Sequence, residues 1–228
     1  MAIDKSRTSP FVKGVIIFVA ITFVLGIAGT AFVPLLESIF NPTATTGTTG
    51  SGSTNASGTV SAIAAKFATT TTNNDKALKT DPKNYNLLVS QAQSYHDWAN
   101  EVMQATKQQG VADRPLWLLA VDFYRKALDV KAGDPNVTTD MAIAQFYSGD
   151  VEGAIATGLA LEKADAKFAA VRFNLGVFYA AAGDNGNAIA QYEEYLKLEP
   201  SGDLVTEAKT RIIALKASPG STTTSAAP

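Results

Sequence analysis

The 228-residue chain has no cysteine and a single histidine, His96. The first absence removes disulfides, thiolate metal sites, cysteine nucleophiles and a lipidated N-terminal cysteine together. The second removes multi-histidine metal sites. Charge is sparse and nearly balanced, 19 basic against 21 acidic residues, so the chain carries no basic footprint for nucleic acid. No Walker loop, HExxH, GxSxG or EF-hand spacing occurs in it. His96 is followed by Asp97, but adjacent residues on a helix point in different directions, and no nucleophile stands nearby. Glu193 and Glu194 fail as an acid–base pair for the same reason and read as a solvated stripe. The expectation is a protein that is not an enzyme and holds neither cofactor nor metal.

What the chain does have begins with a long apolar run. After Lys5, Arg7 and Lys13, residues 14–36 (GVIIFVAITFVLGIAGTAFVPLL) carry no charge. About 20 apolar residues cross a bilayer as a helix, and this run shows no polar stripe at helical period. The basic residues all precede the run, which predicts a cytoplasmic N-terminus at 1–13, a transmembrane helix at 14–36 and an exported remainder. A cleaved signal peptide is the rival reading, with small residues at Gly29-Thr30-Ala31 as the cleavage point. The apolar run is longer than the usual signal core, which favours an uncleaved anchor. Residues 37–59, dominated by Gly, Ser and Thr, read as a flexible tether, and 217–228 as a disordered tail of similar composition.

The remainder repeats. Set YSGDVEGAIATGLALEKADA above AAGDNGNAIAQYEEYLKLEP, and Gly149-Asp150 falls on Gly183-Asp184 and Ala154-Ile155 on Ala188-Ile189, each 34 residues apart. One more step back reaches Ala120, within a segment where Tyr124 and Ala127 match Tyr192 and Tyr195. Gly183-Asp184-Asn185-Gly186-Asn187 is rich in oxygen ligands, yet Val151, Glu152 and Gly153 replace its last three residues one period earlier. That substitution argues against a metal or phosphate loop. The turn reads instead as a left-handed glycine followed by an aspartate N-cap.

The period and its small residues resemble the tetratricopeptide repeat family, whose helix-turn-helix unit carries W-x2-L-G-x2-Y, then G, then A-x3-F-x2-A, then P. Leu175, Gly176, Tyr179, Gly183, Ala188, Tyr192 and Pro200 fall on motif positions in the unit at 169–202. The unit at 135–168 keeps Ala142, Gly149 and Ala154, with Gly158 where the second helix should carry an aromatic. The unit at 85–134 keeps Ala92, Tyr95, Ala120, Tyr124 and Ala127 but contains an insertion. Its first helix is expected to run to about Gln109 and its second to start at about Pro115. Residues 203–216 suit a solvating cap helix, and a degenerate helix is expected before the first unit, within a domain at 60–216.

The fold expected is therefore all-α: a solenoid of about three such units plus a C-terminal capping helix, preceded by one transmembrane helix. The resemblance implies a ligand face built from the first helix of each unit. It comprises Val89, Gln93, His96 and Asp97, then Asn136, Thr139, Ile143, Phe146 and Tyr147, then Phe173 and Val177. The face lacks the Lys/Asn/Arg clamp by which some relatives hold a C-terminal carboxylate, which favours an extended or helical peptide with apolar anchors. The resemblance to membrane-anchored, exported bacterial proteins of this family implies a scaffold at the cell envelope. Its partner would be a protein or peptide, for assembly, secretion or chaperoning. The alternative is a structural subunit that self-associates through the repeat domain in a surface assembly or filament.

Overall fold

The computed structural model of the chain describes residues 54–107, 109–110 and 112–217. The expected transmembrane helix at 14–36, the cytoplasmic segment before it, most of the tether and nearly all of the tail lie outside these residues. Among the described residues no helix is long and apolar enough to cross a membrane.

Eight α-helices follow one another: α1 Thr54–Thr80, α2 Tyr85–Thr106, α3 Arg114–Val130, α4 Pro135–Ser148, α5 Val151–Ala164, α6 Ala169–Ala181, α7 Asn185–Leu198 and α8 Val205–Ala217. Their ends are written in side-chain chemistry. Asn84, Asp134, Asp150 and Asp184 accept hydrogen bonds from the free amides of Leu87, Asn136 and Val137, Gly153 and Asn187. Such caps satisfy donors that the first helical turn leaves open. Gly149 (φ +95°) and Gly183 (φ +80°) take the left-handed conformation that a Cβ would disfavour, so that α4 and α6 can turn into α5 and α7. The repeated Gly-Asp is a joint between helices.

Packing runs from neighbour to neighbour. A first core joins α2, α3 and α4 around Leu88, Trp117, Tyr124, Val137 and Ala144. A second joins α4, α5 and α6 around Ala142, Ala154, Leu161, Leu175 and Phe178. A third joins α6, α7 and α8 around Phe173, Tyr192, Tyr195, Ala208 and Ile212. Of the expected packing positions, Ala92, Ala120, Tyr124, Ala127, Ala142, Ala154, Leu175, Gly176, Ala188 and Tyr192 are buried, and Tyr95 and Tyr179 half-buried. Pro200 is exposed just beyond α7. Gly176 is the contact point of its unit: a Cβ there would lie 2.6 Å from the Tyr192 ring.

Two boundaries differ from expectation. α1 begins at Thr54, inside the stretch read as tether, and packs along α2. Lys66 pairs with Glu101 at 2.7 Å, and the Asn74 amide donates to Ser90. α2 stops at Thr106, with Lys107 left-handed at φ +53°, rather than running to Gln109. The insertion is then anchored by Asp113, whose buried carboxylate accepts from the Gly110 amide at 2.8 Å and from Trp117 Nε1 at 3.0 Å. The C-terminal helix spans Val205–Ala217, close to the expected cap.

Candidate functional site

A cleft of about 390 Å³ opens among α2, α3 and α4, lined by Gln93, His96, Asp97, Tyr124 and Asp140. α2 supplies three of these residues at helical spacing (93, 96 and 97), so they share one side of the helix. Tyr124 rises from α3, buried along its length, and lines the cleft beside the Asp140 carboxyl of α4. The His96 ring meets Trp117 edge-on at 4.8 Å and Tyr124 at 6.2 Å. Its Nδ1 is buried and has no hydrogen-bond partner among the described residues.

The electrostatics of the cleft are anionic. Asp140 is pushed up to about 6, first by burial and then by the negative charges of Asp97 and Asp134, against which the neighbouring Tyr124 hydroxyl works. Burial lowers the His96 imidazole, and the Asp97 charge opposes it. Burial, then the charges of Asp140 and Asp97, raise the Tyr124 phenol. Outside the cleft, the Tyr85 hydroxyl donates to Asp134 at 2.7 Å and fastens the start of α2 to the turn before α4. Burial and that carboxylate push the Tyr85 phenol up to about 12.

Of the residues expected on the ligand face, Gln93, His96 and Asp97 come together in the cleft. Asn136 is exposed at the start of α4, and Val89 is half-buried against the first core. Ile143, Phe146 and Tyr147 are half-buried, and the two aromatics join units: Phe146 stacks on Phe178 at 5.1 Å and Tyr147 on Trp117 at 4.9 Å. Val177 lies between the second and third cores. Thr139 and Phe173 do not reach an open face. Thr139 is buried and its hydroxyl donates to the Pro135 carbonyl, while Phe173 meets Tyr192 and Tyr195 edge-on inside the third core. Asp140 and Tyr124 line the cleft without having been expected there. Asp140 does leave a trace in the sequence, as the sole charged residue of α4.

Among the described residues no group of three or more histidine or acidic side chains converges to hold a metal ion. The cleft can accept hydrogen bonds and hold positive charge, but it presents no activated nucleophile.

No protein-family model matches the chain, and no curated protein does. Among solved structures it is similar to the MamA protein, at 19% identity over 72% of this chain and 85% of that one, with a TM-score of 0.50. It is similar also to the first TPR of Spaghetti (RPAP3) bound to the HSP90 peptide SRMEEVD, at 20% identity over 56% of this chain and 92% of that one, with a TM-score of 0.42. A third is YrrB, a TPR protein with an unusual peptide-binding site, at 17% identity over 65% and 86%, with a TM-score of 0.39. The fold is that of a tetratricopeptide-repeat protein.

Proposed function

We propose that this protein is a non-catalytic scaffold, anchored in the cell membrane and displaying its repeat domain outside the cytoplasm, where it binds a protein or peptide partner. The observation that carries the binding half is the cleft. Polar side chains from two successive first helices meet over a buried tyrosine, with a row of half-buried apolar residues beside them (Ile143, Phe146 and Tyr147). A face of polar groups beside apolar anchors suits an extended or helical segment of another chain. The uncharged run at 14–36 behind three basic residues supports the membrane half. Assembly, secretion and chaperoning at the envelope are all compatible with such a scaffold.

In-cell photocrosslinking tests the binding half. Crosslinkers at Gln93 and Asn136 should capture a partner that crosslinkers at Leu118 and Leu159, exposed on second helices, do not. Equal capture from both sets would refute a ligand face on the first helices. For topology, protease added outside intact spheroplasts should digest the repeat domain, and protection would place that domain in the cytoplasm. Self-association is the second reading, favoured by Ile213, 69% exposed on the last helix of the array where a further copy would stack. Sedimentation that does not change with concentration would remove it.

A further inference from the structure

The first helices of units one and two contain no lysine or arginine. α2 holds Asp97 and Glu101, and α4 holds Asp140 alone. Glu101 is neutralised by Lys66 of α1 at 2.7 Å. Asp97 and Asp140 have no ion-pair partner among the described residues. They stand on different helices yet line one cleft, together with the Gln93 amide, the His96 ring and the buried Tyr124. Its volume of about 390 Å³ falls within the ~300–1,000 Å³ usual for small-ligand clefts, so one long side chain and its hydration fit.

We propose that this cleft is the pocket for a lysine or arginine side chain presented by an extended segment of the partner protein, with Asp97 and Asp140 as its paired anions. The proposal rests on the peptide-binding reading above and adds which residue the peptide must carry. A partly desolvated Asp140 carboxylate facing the exposed Asp97, with no cation between them, is unfavourable as it stands. An ammonium or guanidinium group removes that penalty, an acidic side chain increases it, and an aliphatic one leaves it in place. The Asp140 carboxyl behaves accordingly, being displaced upward by burial and by acidic neighbours, with no cation among the causes. The aliphatic stem of the guest would lie beside aromatic surface, as lysine and arginine stems commonly do. A metal ion is a poorer occupant, because His96, Asp97 and Asp140 do not converge as a ligand set.

The test uses the full-length chain in detergent micelles and four fluorescent peptide pools of about nine residues, with degenerate uncharged flanks and a central lysine, arginine, norleucine or glutamate. The lysine and arginine pools should bind at least about tenfold tighter than norleucine, with glutamate weakest. His96 is the sole histidine, so its ring proton signals report the cleft directly by NMR and should move as the lysine pool is added. In Asp97→Asn and Asp140→Asn the basic preference should collapse while norleucine binding persists, which also shows that the variants are folded. Equal binding of all four pools would overturn the cation pocket and leave the peptide-binding reading intact. Binding of none would overturn both. A basic preference that survives both substitutions, with His96 unmoved, would place the cation elsewhere and overturn the proposal.

Discussion

At the scale of single residues, the cleft is held at a cost in stability that pH should reveal. Asp140 has a native value of about 6 against an ordinary 3.8. The native state therefore binds more protons there than the unfolded state, and its stability rises as pH falls through that window. His96 acts with the opposite sign. Its native value lies below the ordinary 6.5, so stability is lost as pH falls past it. The groups facing the pair are Asp97 from α2, Tyr124 from α3 and Asp134 at the start of α4. Asp140→Asn should therefore melt higher than the wild type at about pH 7.5, and the gap should narrow as pH falls through about 6 and close only below 3.8. Between those limits the variant should lose stability on acidification more steeply, since the histidine is then unopposed. Thermal melts across the range check this, and a gap that does not change with pH would refute it. A binding carboxylate that destabilises the free protein is a familiar exchange of stability for function.

Asp113 is the complementary case, a carboxylate that serves only structure. It is fully buried, and its two oxygens are used on the Gly110 amide and the Trp117 indole. Asp113→Ala should cost about 1–3 kcal/mol by leaving both donors unpaired. The indole then sits in altered surroundings, so a changed tryptophan emission spectrum should accompany the loss of stability. Neither Asp113 nor Asp140 was legible as what it is. Repeat register placed the ligand face on Thr139, and the next residue lies about 100° further round the helix. Register read from a motif does not resolve that step when the first unit, which would help align it, carries an insertion.

At the scale of helices, the 34-residue period was readable because it records which side chains meet. Tyr192 of α7 rests on Gly176 of α6. One period earlier the corresponding residues are Gly158 and Ala142, so the second unit has no ring at that place. A Cβ at Gly158 would lie 2.7 Å from Leu175 Cδ2, which shows that α6 of the following unit fills the gap. The missing aromatic looked in the sequence like decay of the repeat, and it is how the second and third units lock together. Gly158→Phe would restore the family pattern and yet should destabilise, by about 1–3 kcal/mol or more, through overpacking against a fully buried leucine. Pairing it with Leu175→Ala should recover part of the loss, giving a coupling energy between neighbours. Urea unfolding of the two single variants and the double completes the cycle. Additive losses would show that Leu175 does not occupy the aromatic's place.

At the scale of the whole array, the three cores share helices in sequence: α4 belongs to the first and second, α6 to the second and third. Each unit is thus supported only by its neighbours, the condition under which stability behaves as a chain of local terms. The cap was visible beforehand as apolar residues at helical spacing after Gly202. What it covers was not, since Ala208 and Ile212 meet the face of Tyr192 and Tyr195 only through tertiary packing. A chain ending at Pro200 loses Val205, Ala208, Ile212 and Leu215 from the third core. It also loses the Lys216–Glu193 pair, an exposed contact of little consequence for stability. The expected result is local. Amides of α6 and α7 should exchange with solvent much faster, those of α4 and α5 moderately faster, and those of α2 and α3 at nearly their original rate. The first core should remain intact because none of its side chains comes from α6, α7 or α8. Hydrogen exchange read by mass spectrometry distinguishes this gradient from the alternative. A uniform loss of protection from α1 to α7 would mean that the array opens as one cooperative body, and nearest-neighbour support would not be what holds the ligand face in shape.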